Sequence, residues 1–262
     1  MRVLFRSSFD RYSGYGNDAI DIARFLERQG VDVVPWPANM LPGLPREFLR
    51  LMEKDPSGGY DVLLTFAPPF DIREDDFRKM ATRWVGYSMW ERSHLVREDM
   101  NTGGWDMRRR SHWWSDPDGG GMDLMVVTCP QNVDAFSALD PHVDYSVVPC
   151  GIDVDEWPTV KRDPGRRMKF GMNGMLNGRK DPFVMIEAWR QLKDENPAFD
   201  AILELHTLAP GLHPMMMDVY PDLVIHDRAW SRAQLVEWYH SVDVLVSVSR
   251  GEGNNKPAME HM

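Results

Sequence analysis

Apolar residues follow a strand-like and then a helical pattern at the beginning of the chain. Residues 3–5 predict a short buried strand, and from Asp18 onwards apolar residues recur at helical spacing until Gly30 supplies a stop. The glycine-rich residues 13–17 predict a turn before this helix, and residues 31–34 predict a second strand after it. A strand, a turn, a helix and another strand form a βαβ unit, which implies a parallel sheet covered on both faces.

The same kind of pattern continues through roughly the first 150 residues. Further strands are predicted at 61–66, 83–89, 122–129 and 145–148, and a helix at 131–139. The stretch 155–167 is polar and contains several proline and glycine residues, which is typical of a linker. We therefore expect an N-terminal Rossmann-like domain over residues 1–154.

A second α/β pattern follows the predicted linker. Asp181 and Pro182 resemble the N-cap and the first residue of a helix, and Pro257 predicts the start of another helix near the C-terminus. The other predicted elements are strands at 168–172, 201–205, 223–225 and 242–248 and a helix at 231–240. Because Met262 falls only about one turn into the last helix, we expect a second Rossmann-like domain over 168–262 that is incomplete.

Composition narrows the class of protein. With 262 residues the chain lies between one and two complete α/β domains, and 43% hydrophobic residues allow a packed core. The excess of 40 acidic over 30 basic residues argues against nucleic acid as a partner. We find no signal peptide and no apolar run long enough for a transmembrane segment. Cys129 and Cys150 are predicted to be reduced thiols, so a cytoplasmic location is expected.

The segment 249–260 carries the most chemistry, because it follows a predicted buried strand and enters a helix. In an open α/β domain, ligands bind beyond the carboxyl ends of the strands. Glycines allow close approach to a ligand, and amides at a helix start can bind phosphate. The carboxylates of Glu252 and Glu260 instead suit the hydroxyls of a sugar or ribose. Spacing alone leaves open that Glu260 only favours the helix N-terminus and that Glu252 is a solvated loop charge.

Two cations, Arg179 and Lys180, stand directly before the predicted cap Asp181. Without an anion they repel each other and the positive end of the helix dipole, by a few tenths of a kcal/mol each. A bound anion would reverse the sign of this effect. A solvated basic loop is the alternative.

Glu252 and Glu260, with seven residues between them, resemble the Glu-x7-Glu motif of retaining glycosyltransferases of the GT-B fold, particularly the large family 4. Residues 243–253 and 257–262 agree with the family's Asp-Val-x-Val-x-Pro-Ser-Arg-x-Glu-Gly and Pro-x-x-Glu-x-Met patterns. Residues 170–180 resemble the family's strand, glycine-bearing loop and Arg-Lys pair. These matches lie in the predicted second domain.

The predicted first domain carries three further matches. Residues 148–153 resemble the segment with which the family leaves its N-terminal domain, and Gly14 and Gly16 resemble the glycine loop that faces the donor phosphates. Residues 84–91 resemble the strand whose end faces the acceptor, with Glu91 and His94 as the nearby acidic and basic side chains. Two departures remain: the glycine-flanked insertion 99–121 does not map onto the family, and the family usually continues beyond its Glu-x7-Glu helix.

The resemblance implies an α/β fold of two Rossmann-like domains that face a cleft, with the second domain incomplete. It also implies transfer of a hexose from a nucleoside diphosphate sugar to an acceptor hydroxyl, with retention of the anomeric configuration. The acceptor, which could be a glycan, a lipid, a protein or a small molecule, stays open. A catalytically silent nucleotide-sugar-binding subunit and an α/β enzyme of a different reaction are the alternatives.

The resemblance also implies residue roles. Arg179 and Lys180 would offset the charge of the departing diphosphate, Glu260 would hold ribose and Glu252 the sugar hydroxyls, while Glu91 or His94 would contact the acceptor or the anomeric region. The implied donor-binding residues are Gly14, Gly16, Gly174, Arg179, Lys180, Glu252, Gly253, Asn254, Asn255 and Glu260. No metal site is predicted, because the eight histidines form no His-x-x-x-His pair and the cysteines have no zinc-like spacing. The Asp-x-Asp tripeptides at 116–118 and 153–155 arise readily by chance in an acidic chain, and no cofactor besides the donor is expected.

Overall fold

The computed structural model describes most of the chain. The described residues are 1–10, 13–40, 44–69, 72, 79–91, 114, 121–161, 163, 165–175, 178–207 and 222–262, with the backbone alone at 39–40. They form two compact units, Met1–Gly151 and Ile152–Met262. The predicted insertion 99–121, apart from residues 114 and 121, and His94 lie outside the described residues.

The first unit is a six-stranded parallel sheet with helices between its strands. The strands are β1 (Arg2–Phe9), β2 (Asp32–Met40), β3 (Tyr60–Phe66), β4 (Ala81–Ser88), β5 (Leu124–Val127) and β6 (Tyr145–Val147), in the order β2-β1-β3-β4-β5-β6. The helices are α1 (Gly14–Arg28), α2 (Arg46–Met52) and α3 (Pro130–Ser137). All neighbouring strands are parallel, as the βαβ pattern predicts.

Both faces of this sheet are buried. Leu4 packs in one apolar cluster together with Trp84, whereas its neighbour Phe5 packs in another together with Phe66. Successive side chains of a strand point to opposite faces, so a run of consecutive apolar residues is the expected signature of such a strand. β2 extends beyond the predicted 31–34 and contains two prolines, which an edge strand tolerates because one of its sides needs no hydrogen-bond donors.

The second unit has a four-stranded parallel sheet in the order β10-β7-β8-β9. Its strands are β7 (Met168–Asn173), β8 (Ala201–His206), β9 (Leu223–His226) and β10 (Val244–Leu245), and its helices are α4 (Pro182–Glu195), α5 (Arg232–Ser241) and α6 (Lys256–His261). Leu203 and Leu205 of β8 are completely buried and pack with Trp189 of α4. α5 begins with a capping box between Ser231 and Gln234.

Several predicted boundaries differ from the observed ones. α1 begins at Gly14 and not at Asp18, because Ser13 caps it, so the predicted glycine turn is the first turn of the helix. The predicted strand 242–248 is regular only over Val244–Leu245. Within the predicted linker, Pro158 accepts a hydrogen bond from His240 of α5 at 2.8 Å. The two cysteines are free thiols, and no described helix is long and apolar enough to cross a membrane.

Candidate functional site

The predicted donor-binding segments follow two neighbouring strands of the second unit. β7 and β10 are parallel partners, so their carboxyl ends lie side by side at one edge of the sheet. Gly174, directly after β7, has φ of 154° and donates its amide to the carbonyl of His206 at 3.1 Å. A Cβ at Gly174 would make only an ordinary contact with Lys180, 3.4 Å from its Cε, so the positive φ and not lack of space favours glycine here.

The two segments are fastened to each other by what we call the clasp. The clasp consists of residues 179–181 and 249–252. Arg179 accepts the amide of Arg250 on its carbonyl oxygen at 2.8 Å, and its Nη1 donates to the carbonyl of Gly251 at 2.8 Å. Arg250 in turn donates from Nε to the carboxylate of Asp181 at 2.7 Å. Main-chain and side-chain contacts therefore hold the predicted cation pair beside the predicted sugar-binding loop.

Glu252 lies at the centre of the clasp. Its Oε2 is 3.3 Å from Nη1 of Arg179, and its Oε1 accepts a hydrogen bond from Nζ of Lys180. The side chains of Glu252 and Lys180 are only 19% and 12% exposed, so both charges are partly removed from water. From the sequence, Arg179 and Lys180 were expected to have no anionic partner in the empty protein, and this expectation is wrong. The counter-charge is Glu252, which lies 72 residues from Lys180 along the chain.

Asp181 occupies the N-cap position of α4, as predicted, but it does not act as a cap. Its backbone is left-handed, with φ of 45°, and its side chain makes no capping hydrogen bond. Aspartate adopts this conformation more readily than most residues. The carboxylate pairs with Arg250 instead, so Asp181 stabilises the clasp and not the first turn of the helix.

Glu260 lies on α6 with its side chain buried. Its Oε1 is 3.1 Å from Nη1 of Arg232, and the hydroxyl of Tyr239 donates to its Oε2 at 3.2 Å. Burial raises the pKa of Glu260, although the nearby charges of Arg232 and Lys256 oppose this shift. Each carboxylate oxygen can accept a second hydrogen bond, so Glu260 keeps the capacity to bind a hydroxyl.

Two residues that the sequence analysis missed, Arg232 and Tyr239, orient Glu260. Arg232 also bonds Glu156 from Nε at 3.1 Å, and the hydroxyl of Tyr239 accepts a hydrogen bond from Asn173 at 2.7 Å. A buried tyrosine hydroxyl needs a partner, but the sequence shows neither the burial of Tyr239 nor the residues that its hydroxyl contacts. The pairing of Arg232 with an acid on another helix leaves no local pattern.

The polar contacts of Glu260 continue through Tyr239 and Asn173 to His206, at the carboxyl end of β8. Asn173, the last residue of β7, has its Oδ1 2.9 Å from Nδ1 of His206, the last residue of β8. The imidazole is stacked on Trp230 with ring centroids 3.9 Å apart, and burial lowers the pKa of His206 to about 4. At neutral pH the ring is therefore uncharged, so Arg232 and Lys256 supply the positive charges close to Glu260.

The residues predicted to orient sugar and phosphate lie between the clasp and α6. Asn255 donates from Nδ2 to the hydroxyl of Ser247 at 3.2 Å. The side-chain nitrogen of Asn254 is shielded from solvent and has no hydrogen-bond partner among the described residues. Gly253 precedes both. All three residues thus lie in the short irregular segment between Glu252 and α6.

In the first unit, Gly14 and Gly16 lie in the first turn of α1. The hydroxyl of Ser13 accepts the amide of Gly16 at 2.9 Å and donates to the carboxylate of Asp10 at 2.8 Å. A Cβ at Gly16 would lie 2.4 Å from this carboxylate and 2.5 Å from the carbonyl oxygen of Asp10. Nothing lies within 4 Å of a Cβ at Gly14. Close packing therefore explains Gly16 but not Gly14.

Tyr15 connects this turn to the end of β4. Its ring packs on Phe66 with centroids 5.1 Å apart, and its hydroxyl donates to the carbonyl of Met89 at 2.9 Å. The half-buried Glu91 follows two residues later, and its charge adds to burial in raising the pKa of Tyr15. Gly14, Gly16 and Glu91 thus lie at one edge of the first sheet.

A second side chain fixes the segment before Glu91. The carboxamide of the buried Asn132 accepts the amide of Trp90 at 3.1 Å and donates to the carbonyl of Trp90 at 3.0 Å. The hydroxyl of Thr128 donates to the same Oδ1 at 3.1 Å. Two complementary bonds to one residue fix both its position and its orientation, so Asn132 restrains the backbone next to Glu91.

No protein-family model matches the chain, and no curated protein matches it by sequence. Solved structures do match. WaaG, a glycosyltransferase involved in lipopolysaccharide biosynthesis, superposes with a TM-score of 0.67 at 13% identity, over 99% of this chain and 78% of its own. The trehalose-6-phosphate synthase OtsA superposes with a TM-score of 0.64 at 12% identity, over 100% and 81%.

A third similar structure contains ligands. The pneumococcal O-GlcNAc transferase GtfA, in complex with UDP and GlcNAc, superposes with a TM-score of 0.52 at 13% identity, over 76% of this chain and 39% of its own. At such identities the likeness establishes the fold. The predicted α/β class with two Rossmann-like sheets, as in GT-B glycosyltransferases, is confirmed.

Proposed function

We propose that the chain binds a nucleoside diphosphate sugar and transfers its hexose to an acceptor hydroxyl with retention of the anomeric configuration. The observation that carries this proposal is the clasp. It brings Arg179 and Lys180 against Glu252 at the carboxyl edge of a parallel sheet, although some 70 residues separate them in sequence. The shared fold with glycosyltransferases, one of them in complex with UDP, supports the same activity.

The chemistry follows from where charge develops. As the glycosidic bond breaks, negative charge moves onto the departing diphosphate, and Arg179 and Lys180 are cations that can stabilise it. Because these charges belong to the protein, the reaction needs no metal ion in this proposal. Glu260 holds the ribose hydroxyls, Glu252 holds hydroxyls of the sugar, and Glu91 or His94 contacts the acceptor or the anomeric region.

The proposal is tested with a panel of UDP-, GDP-, ADP- and dTDP-sugars in a thermal-shift assay. A ligand at about 100 times its dissociation constant adds roughly 2.7 kcal/mol to the free energy of unfolding, which is easily seen. We expect a clear rise in melting temperature for at least one donor, followed by release of its sugar to water or to an added acceptor. Binding without any release of sugar would favour the catalytically silent subunit. No shift with any donor would contradict the proposal.

Chelation of metal ions is expected to leave donor binding unchanged. Arg179 and Lys180, and not a metal held by acidic side chains, balance the diphosphate in this proposal. Among the described residues, no group of three or more histidine, cysteine, aspartate and glutamate side chains is arranged to hold a metal ion. Calorimetry with Mg²⁺ and with EDTA tests the expectation, and an affinity that collapses on chelation would favour one of the Asp-x-Asp tripeptides.

The change Glu260→Gln is expected to weaken the free nucleotide and the sugar nucleotide alike, by about tenfold or more, because one charge-assisted hydrogen bond to ribose is lost. A 2′-deoxynucleotide should lose less. The matched control is Glu237→Gln, which removes the same charge from an exposed position on α5. Melting temperatures show whether the buried site still folds. An effect confined to the sugar nucleotide would contradict the assignment of Glu260 to the ribose.

A further inference from the structure

Glu252 uses both of its carboxylate oxygens on the two cations assigned to the diphosphate. Oε2 lies 3.3 Å from Arg179, and Oε1 accepts from Lys180. A diphosphate bound by the same two groups presents the same kind of acceptor, a negatively charged oxygen, to the same donors. The carboxylate and the diphosphate therefore compete for Arg179 and Lys180.

We propose that Glu252 acts as a built-in competitor that discriminates between the sugar nucleotide and the free nucleotide product. This inference rests on the proposed function and extends it. When a diphosphate enters, Glu252 gives up its contacts with the cations. If the sugar is attached, its hydroxyls become new partners for the displaced carboxylate. A free nucleoside diphosphate offers no such partner, so the displaced charge lowers the affinity for the product alone.

The surroundings of Glu252 make this competition effective. Its side chain is mostly shielded from solvent, so water compensates only partly for the lost ion pairs. The backbone next to it is held by the bond from Arg179 to Gly251 and by the Arg250–Asp181 ion pair, neither of which uses the Glu252 side chain. The clasp can therefore persist while this carboxylate changes its partners. Product release is favoured without loss of donor binding.

The inference predicts a gain of affinity on removal of a charge. Glu252→Gln should bind inorganic pyrophosphate and UDP at least about fivefold more tightly than the parent, because the charged carboxylate no longer competes with the ligand for the two cations. Affinity for the sugar nucleotide should stay the same or fall, since the glutamine holds the hydroxyls less strongly. Isothermal titration calorimetry at physiological ionic strength measures all three.

The control is Asp181→Asn, which removes one negative charge from the same clasp. Asp181 forms its ion pair with Arg250, whereas Arg179 and Lys180 pair with Glu252, and asparagine tolerates the left-handed backbone of Asp181. We expect this variant to change pyrophosphate affinity less than about twofold, because the asparagine can still accept the hydrogen bond from Arg250 and Glu252 still pairs with Arg179 and Lys180. An equal gain in Asp181→Asn and Glu252→Gln would assign the effect to net charge and overturn the inference.

A second variant, Glu252→Ala, keeps the test decisive if the glutamine variant folds poorly, because it should show the same gain for pyrophosphate. Unchanged or weaker pyrophosphate binding in folded variants would overturn the competitor role. That result in a protein that still transfers sugar would leave the proposed function intact. A parent that binds no sugar nucleotide would overturn the proposed function and the product discrimination, while the pyrophosphate comparison would still decide whether Glu252 competes for the cations.

Discussion

Replacing both Arg179 and Lys180 with alanine is expected to lower glycosyl transfer by about a hundredfold or more. In the proposed function both side chains stabilise charge that grows on the departing diphosphate, so their contribution would be larger in the transition state than in the bound donor. The turnover number should therefore fall more than the affinity for the donor. Steady-state kinetics at saturating donor measure the effect, and loss of pyrophosphate affinity is a second readout.

The same double change is also expected to destabilise the empty protein, by about 1 to 3 kcal/mol. The helix dipole alone would predict no loss, because it repels both cations. In the structure, however, their removal leaves the partly buried carboxylate of Glu252 without its two partners. Arg190→Ala, which removes a half-exposed cation of α4 away from the clasp, is the control. If the double variant folds and keeps the turnover number of the parent, Arg179 and Lys180 have a structural role and not a catalytic one.

The periodicity of the sequence was sufficient to find the strands that are buried on both faces. Such strands, for example β5, are runs of consecutive apolar residues. It missed α2, a helix of seven residues that follows a proline-rich segment, because two turns are too short for a clear helical period. It overextended β10, because Val246 and Val248 are apolar although the regular strand ends at Leu245. Beyond that residue, the amide of Val246 still donates to the carbonyl of Gly171 in β7 at 2.8 Å.

The sequence predicted those parts of the site whose residues lie close together along the chain. The Glu-x7-Glu spacing and the adjacent Arg-Lys pair are local patterns, and both were found. Their pairing was not, since an ion pair between Lys180 and Glu252 joins residues 72 positions apart. The same reason applies to Arg232, which joins Glu156 to Glu260. Long-range pairing depends on the strand order, which no local pattern specifies.

Gly16→Ala is expected to lower the free energy of unfolding by about 3 kcal/mol, at the upper end of the usual range for overpacking. A Cβ at this position would lie 2.4 Å from the carboxylate of Asp10 and 2.5 Å from its carbonyl oxygen. The carboxylate could move only by giving up its bonds to Ser13, which caps α1, and the carbonyl is part of the backbone. The first turn of α1 would have to shift away from the end of β1.

Gly14→Ala provides the matched comparison, because it adds the same methyl group two residues earlier in the same helical turn, where nothing lies within 4 Å. Alanine also restricts the unfolded chain more than glycine does, so this variant should be as stable as the parent or more stable by up to about 1 kcal/mol. Urea or thermal unfolding of the two variants measures the difference directly. Equal stability of Gly14→Ala and Gly16→Ala would mean that Asp10 does not press against α1, and the close packing of this turn would have to be abandoned as the reason for the second glycine.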